Sequence, residues 1–209
     1  MSVGAGAQDA SRALHVGASN PPEVETILDA AEAQFADVGL KLTTVGDIAR
    51  RAGVGRVTIY RRVGGRDEIA HAVSARSAAR LIDEIRTVAH QADTLDTMIG
   101  SVFATTVERM REHPVWNRML ALEPESSLLR LTVDGQDILV ASIAATVAIL
   151  EDAADAGLLT DTRDLPGKAE VLVRVAHSVI LTPHALVPLA TREHLEQFAR
   201  SLLLPLLSS

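Results

Sequence analysis

The chain has 209 residues, of which 47% are apolar, 22% are charged and 2% are aromatic, and its formal net charge is −7. This length allows one or two domains with sizeable buried cores. There is no cysteine, which excludes disulfide frameworks, thiolate metal sites and cysteine nucleophiles. The chain has neither the apolar run of ~18 to 20 residues that a membrane span needs nor the basic, apolar start of a signal peptide. We therefore expect a cytoplasmic protein without a membrane partner.

The basic residues are concentrated in one short stretch, residues 40–66, which we call the basic segment. It contains seven bases and one acid, whereas residues 21–39 contain five acids and no base. A basic island in an acidic chain is a candidate site for a polyanion. On charge alone, the alternative is an ordinary solvated surface.

The first predicted elements are a tail and a helix. Residues 1–20 are small, polar and glycine-rich, so we expect them to be disordered. In the next stretch, PPEVETILDAAEAQFADVG, apolar residues recur at three- and four-residue steps, which predicts an amphipathic helix over residues 22–38. Gly39 follows its end and is expected to be a left-handed C-cap.

Two short helices follow, separated by a turn that contains glycine. Thr43 is a suitable N-cap for the first, which we predict over residues 44–51. Gly53 permits a sharp turn, and the second helix is predicted over residues 56–63. This arrangement is a helix-turn-helix, assigned to residues 44–63.

The second short helix has the size and side chains for DNA. Eight residues make a helix about 12 Å long, which is also the width of the major groove. Ile59 and Val63 share one face, so the other side chains project elsewhere. They include guanidinium groups, a threonine and the only tyrosine, all of which can contact base edges or phosphates. The basic segment is therefore interpreted as a DNA-contacting surface.

The stretch TTVGDIARRAGVGRVTIYRRVGGRDEI resembles the DNA-binding domain of the TetR family of bacterial transcriptional regulators. Those proteins typically read T-T-x-x-x-I-A-x-x-A-G-V-[ST]-x-G-T-[LI]-Y-x-[HY]-F-x-[SN]-K-[ED]-x-L. The chain departs from this pattern at Gly55, where the family has Ser or Thr, and at Val57, Arg62 and Val63. The matching residues include Thr43, Thr44, Ile48, Ala49, Ala52, Gly53, Val54, Thr58, Ile59, Tyr60, Asp67 and Ile69.

The resemblance implies an all-α protein with two domains. Residues 21–81 would form a three-helix DNA-binding domain, and residues 82–209 a helical effector-binding and dimerisation domain. Family members bind double-stranded DNA as dimers. The residues implied in DNA binding are Thr43, Thr44, Arg56, Val57, Thr58, Tyr60, Arg61, Arg62 and Arg66.

The implied DNA contacts divide into two groups. Arg56, Val57, Thr58 and Arg61 would read or border base edges. The phosphate contacts would come from Thr44, Tyr60, Arg62 and Arg66. Which of Arg61 and Arg62 reads bases stays open, because adjacent helical residues point ~100° apart.

The rest of the chain is predicted to be helical. Helices are expected near residues 67–89, 94–112, 114–123, 134–156, 166–182 and from Thr191 to about Leu204. The helix at 166–182 is apolar nearly all round and so needs partners on two sides. One partner would be the domain core and the other a second subunit, and the alternative is a monomer with a central buried helix. The predicted dimer interface is Val171, Leu172, Val175, Val179, Leu195, Phe198 and Leu202.

An effector pocket is predicted in the middle helices. Few aromatic residues are available, so an aliphatic or acyl-bearing small molecule fits better than a planar one. The alternative for each lining residue is plain core packing. The predicted residues are Phe103, Thr106, Met110, Trp116, Asn117, Met119, Leu120 and His177.

The favoured function is a ligand-responsive transcriptional repressor that binds a palindromic operator as a homodimer. Two alternatives stay open. One is a small-molecule-binding helical protein that has lost DNA binding, and the other is a helical enzyme that uses the C-terminal cavity. No catalytic residue, cofactor or metal site is predicted, because no nucleotide-binding or metal-ligand spacing is present.

Overall fold

The structure is a computed structural model that describes residues 20–132 and 135–208. Apart from Asn20, the predicted tail lies outside the described residues. The described ranges form helices joined by turns and loops, which confirms the all-α fold. None of their helices is long and apolar enough to cross a membrane.

The helices agree with the predicted elements to within a few residues, with one addition. No helix was expected directly after residue 123, where Pro124 begins a short one. The helices are α1 Pro22–Val38, α2 Val45–Ala52, α3 Arg56–Arg62, α4 Arg66–His90, α5 Leu95–Glu112, α6 Pro114–Leu122, α7 Pro124–Leu131, α8 Gln136–Asp155, α9 Leu165–Leu181, α10 Arg192–Phe198, the π-helical turn π1 Ala199–Leu203 and α11 Leu204–Leu207.

The chain folds into two compact units. The first contains the described residues of Met1–Arg80 and His113–Asp134, and the second those of Leu81–Glu112 and Gly135–Ser209. Helix α4 contributes its first part to one unit and its last part to the other. Each unit has its own buried apolar cluster.

The first unit is centred on apolar residues from α1 to α4. Ile27 and Phe35 of α1, Ile48 of α2, Ile59 of α3 and Ile69 of α4 are all almost completely buried in one cluster. Each of these helices therefore presents one apolar stripe to a shared core, as the periodicity indicated.

Helices α6 and α7 belong to the first unit, whereas residues 82–209 were expected to form a separate domain. Val115 packs against the first unit's core, and the Nζ atom of Lys41 lies 2.8 Å from Glu123 Oε2. A Cβ added to Gly39 would lie 2.6 Å from Leu122 Cδ1, so α6 packs closely on the end of α1. Periodicity predicts an amphipathic helix here but not which core its apolar face covers.

The end of α1 differs in detail from the predicted left-handed cap. Gly39 has the positive φ that was expected, 90°, but its ψ of 161° is extended. Its amide donates to the carbonyl of Phe35, and the chain turns away from the helix axis toward α2. Glycine is needed because other residues rarely adopt this conformation.

The second unit is arranged around α5. Ala104 and Val107 are fully buried and share a cluster with Leu150 of α8, Ala169 of α9 and Leu195 of α10. Small residues in α5 and α9 allow the helices to approach closely.

The last helix was expected to end before Pro205, but the helical chain continues through this proline. In π1 the amide of Leu204 donates to the carbonyl of Ala199, five residues back. This wider turn accommodates a proline, which lacks an N–H and would interrupt a regular α-helix. The chain then continues to Leu207, which is fully buried in the second unit.

Arg76 of α4 makes the main polar link to α1. Its side chain is 7% exposed, and its Nη1 lies 3.0 Å from Glu25 Oε2 and 2.8 Å from Asp29 Oδ1. Its Nη2 lies 2.7 Å from Glu32 Oε2. Burial alone lowers the pKa of Arg76, but hydrogen bonds and charges from these acids raise it above the usual value overall.

We expect Arg76→Ala to lower the free energy of unfolding by about 2 kcal/mol at pH 7. Removing one partner of a buried ion pair leaves an uncompensated charge. These carboxylates still reach solvent, so the loss of stability should be smaller than for a fully buried pair. Urea denaturation followed by circular dichroism measures the change. Arg80→Ala is the control, because the more exposed Arg80 approaches Glu25 only to 3.5 Å and should cost less than about 0.5 kcal/mol.

The Arg76→Ala effect should also depend on pH. The pKa of Glu25 is lowered from 4.5 mainly by a hydrogen bond from Asn20; burial opposes the shift, and Arg76 adds to it. A carboxyl whose pKa falls on folding stabilises the protein above its unfolded pKa and loses this contribution as the pH drops through its folded pKa. The stability difference between wild type and variant should therefore narrow below pH 4.5. If the stability difference between wild type and Arg76→Ala stayed constant down to acid pH, it would not arise from the ionised carboxylates.

Candidate nucleic-acid interface

Helix α2 begins with a capping box. Thr44 Oγ1 accepts a hydrogen bond from the Asp47 amide at 3.2 Å, and Asp47 Oδ2 accepts one from the Thr44 amide at 3.1 Å. The N-cap is therefore Thr44, one residue later than predicted. The Thr44 hydroxyl also donates to Asp47 Oδ2 at 2.5 Å, and this hydrogen bond, followed by those from Arg50 and the Thr44 amide, lowers the pKa of Asp47.

Thr43 has a different position from the other predicted DNA-contacting residues. Its side chain is almost completely buried, and its hydroxyl donates to the Gly39 carbonyl at 2.7 Å. The hydroxyl is thus used to fix the connection between α1 and α2. Thr44 is exposed and stays a candidate for phosphate contact.

The turn between α2 and α3 depends on Gly53. Its φ of 69° and ψ of 25° are left-handed, and its amide donates to Ala49. No atom lies within 4 Å of a Cβ added there, so the requirement is conformational rather than steric. Gly55 then caps α3 without a side-chain hydrogen bond.

Helix α3 has one buried side and one exposed side. Ile59 is completely buried, and Val57 and Arg61 lie two residues before and after it, on the opposite side of the helix. Val57 is 78% exposed. Tyr60 and Arg56 are also exposed, so four neighbouring side chains form one outward face. We call α3 the recognition helix and these four residues its outer face.

Arg61 and Arg62, which the sequence could not separate, have different surroundings. The Nε atom of Arg62 lies 2.7 Å from Glu23 Oε2 on α1. Arg61 lies on the outer face and makes no ion pair within residues 20–132 and 135–208. The two guanidinium groups are thus held in different directions.

Arg56 lies against the first turn of α2. A Cβ built on Gly46 would be 2.6 Å from Arg56 Nη2 and 2.9 Å from its Cζ. Only a residue without a side chain at position 46 leaves room for this arrangement. Across the described part of the chain, Arg56 makes no ion pair either.

The turn into α4 brings Arg66 beside the basic segment's first loop. Gly64 has a φ of 124°, and the Gly65 amide donates to Glu68 Oε2 at 3.0 Å. Arg66 Nη2 lies 3.2 Å from Asp67 Oδ1. Its Nη1 lies 3.5 Å from the Lys41 carbonyl, so its charge stays near α2.

A family model described as "Bacterial regulatory proteins, tetR family" matches residues 27–73, which include α1 from Ile27, all of α2 and α3, and the start of α4. These are the residues that carry the helix-turn-helix. Residues 27–73 therefore match the TetR-family DNA-binding region. This match assigns a DNA-binding helix-turn-helix of the kind found in these transcriptional regulators to α2 and α3.

Known regulators are similar to this chain over most of its length. The regulator AlkX of Mycobacterium tuberculosis is 25% identical over 167 residues, 76% of this chain and 75% of the relative. The repressor QsdR of R. erythropolis is 26% identical, with a TM-score of 0.60 over 90% of this chain and 96% of its own. The repressor AlkX of Dietzia sp., implicated in n-alkane biodegradation, is 16% identical, with a TM-score of 0.66 over 92% and 98%.

The predicted effector residues are divided between the two units. Phe103 is buried in the second unit, where its ring stacks on Phe198 with centroids 5.7 Å apart. Half-buried residues of α5 and α9 accompany it there: Thr106, Met110 and His177. The α6 residues belong to the first unit instead: Trp116, Asn117, Met119 and Leu120.

The predicted dimer residues are partly buried and partly exposed. Leu172, Val179 and Leu195 lie in the second unit's own core. Val171 and Leu202 are 43% and 56% exposed. The half-buried members are Val175 and Phe198.

An open groove of about 510 Å³ runs along α9 and includes Val171, Val175 and Phe198. Its far wall is the loop between α9 and α10, where Leu186 is 98% exposed. This loop was not among the predicted site residues because it has no periodicity. An apolar Ala-Leu-Val run between two prolines was the available signal.

We expect Gly46→Ala to displace the Arg56 guanidinium. The clash involves the far end of a flexible side chain, so the free energy of unfolding should change by less than about 0.5 kcal/mol. Affinity for DNA should nevertheless fall about as much as in Arg56→Ala. Fluorescence anisotropy with a labelled duplex measures it. Unchanged affinity in Gly46→Ala alongside a loss in Arg56→Ala would contradict a role for this position.

Proposed function

We propose that the chain is a ligand-responsive repressor that binds a palindromic operator as a homodimer. The observation that carries the proposal is the outer face of the recognition helix, where Arg56 and Arg61 lack intramolecular ion pairs among the described residues. Unpaired guanidinium groups are available to bind guanine edges or phosphates. The description of QsdR, 26% identical, as a transcriptional repressor supports repression.

Direct readout is assigned to the outer face. Arg61 and Val57 lie opposite the buried Ile59, so they would enter the groove farthest. Arg61 would bind a guanine bidentately, and Val57 would contact a thymine methyl. Arg56 and the half-buried Thr58 would border these bases.

Phosphate contacts would flank this face. Thr44 is exposed at the N-terminus of α2, where backbone amides and the helix dipole favour an anion. Tyr60 and Arg66 would hold the opposite strand. Arg62 is engaged by Glu23, so it would contribute less than the arginines of the outer face.

Dimerisation would use the groove along α9. Exposed apolar residues such as Val171 and Leu202 need cover, and a second copy supplies a matching surface under two-fold symmetry. Two recognition helices about 35 Å apart would then address successive major grooves of a palindrome.

The effector would bind within the second unit. The first half of α8 is apolar yet mostly half-buried or exposed, and Ile143 and Val147 lie at the edge of the core. Together with Met110 and the polar Thr106 and His177, they would suit an aliphatic or acyl-bearing molecule. Binding would favour one of two populations through α4, which has residues in both units.

Selection of genomic fragments by the purified protein should yield one palindromic site. Arg61→Ala should then bind this site at least about tenfold more weakly, because each bidentate contact contributes ~1–3 kcal/mol. Arg62→Ala, the matched control on the same helix, should stay within about threefold at near-physiological salt. Loss of binding in Arg62→Ala but not in Arg61→Ala would reverse the assignment. Binding of wild type and both variants without sequence preference would refute operator recognition.

Val171→Glu and Leu202→Glu should each convert a dimer into a monomer, as measured by sedimentation velocity. Both side chains are already partly exposed, so folding should be retained, whereas a buried charge at the interface would block association. Val140→Glu, on α8 and 41% exposed, is the control and should stay dimeric. A monomeric wild type, or dimeric variants, would contradict this interface.

A further inference from the structure

Most cations of the basic segment are neutralised within the molecule. In addition to Arg62 with Glu23, Lys41 pairs with Glu123, and both arginines of the last turn of α2 pair with aspartates. Arg66 pairs with its neighbour Asp67. Among the described residues, the unpaired members of the segment are Arg56 and Arg61. The α2 pairs are Arg50–Asp47 and Arg51–Asp37.

The pair between Arg62 and Glu23 differs from the others because it holds the recognition helix itself. Arg62 is in the last turn of α3, next to Arg61 of the outer face. Glu23 is in the first turn of α1, where the helix dipole stabilises a carboxylate. The side chains are 47% and 39% exposed, respectively, so the pair is accessible to solvent and to a competing anion. Exposed pairs of this kind are weak and exchange readily.

DNA phosphates are strong competitors for such an arginine. Each phosphate that a protein neutralises releases counterions, and this contribution does not depend on sequence. A carboxylate that holds Arg62 therefore removes one sequence-independent contact. The arginines of the outer face stay available to DNA because no carboxylate of the described chain engages them.

We propose that Glu23 competes with DNA phosphate for Arg62 and thereby sets the ratio of operator binding to non-specific binding. This inference rests on the proposed operator recognition. Glu23 acts on specificity without contacting a base. Glu23 lowers the affinity for non-specific DNA. The affinity for the operator falls less because the base contacts remain.

Glu23→Gln tests the proposal, since glutamine keeps the shape and the acceptor but removes the charge. We expect affinity for a random-sequence duplex at low salt to rise about fivefold, with a smaller gain for the operator. The plot of log K against log salt concentration should become steeper by about 0.9 per protomer, the value for one added phosphate contact. Fluorescence anisotropy at four or more salt concentrations gives both quantities.

Arg62→Ala and the double variant Glu23→Gln/Arg62→Ala show whether the effect passes through Arg62. In the Arg62→Ala background, Glu23→Gln should no longer change the salt dependence. Glu112→Gln is the control for net charge, because Glu112 also faces an arginine, Arg109, at 3.3 Å but belongs to the second unit. It should leave random-duplex binding unchanged.

Two results would overturn the proposal. One is a salt dependence and selectivity in Glu23→Gln equal to those of Glu112→Gln. The other is weaker binding in Glu23→Gln with unchanged thermal unfolding, which would mean that Glu23 positions Arg62 for DNA. The random-duplex titrations need no operator. If the protein recognised no specific site, the proposed function would be refuted. The competition between Glu23 and phosphate for Arg62 could still be measured on random duplexes.

Discussion

The interface depends on the burial of one side chain, Ile59. A helix of seven residues is not stable in isolation, because few backbone hydrogen bonds offset its nucleation cost. Helix α3 is therefore held by packing, and Ile59 supplies its one completely buried contact in the first unit. Burial of that residue also decides which side chains face outward. Val57 and Arg61 are directed away from the core because Ile59 is directed into it.

In the first unit, the local positions of the charges matter more than the net charge of the chain. The chain carries a net charge of −7, yet its recognition helix presents cations to solvent. Acids of α1 are used in three ways: one face surrounds the buried Arg76 and fixes α1 to α4, Asp37 pairs with Arg51 of α2, and Glu23 reaches Arg62. The same acidic helix thus stabilises the unit and engages one arginine beside the outer face.

Local sequence signals made the first three helices predictable. The features that were not predicted depend on tertiary contacts. Periodicity, Gly53 and the proline start gave α1 to α3 within about one residue. The choice between Thr43 and Thr44 as cap depends on burial, which a single sequence does not report. The return of α6 to the first unit and the Glu23–Arg62 pair join segments far apart in the chain, so no periodic pattern encodes them.

Fold and recognition are separable on α3 because they use opposite sides of one helix. A change at Ile59 would remove the packing that holds the helix, and DNA contact would be lost with it. Changes at Val57 or Arg61 leave that packing intact, since neither contributes to the buried cluster. Operator preference can therefore vary at these two positions with little cost in stability. Arg62 lies between these sides, and its partner on α1 links the base-reading helix to the rest of the unit.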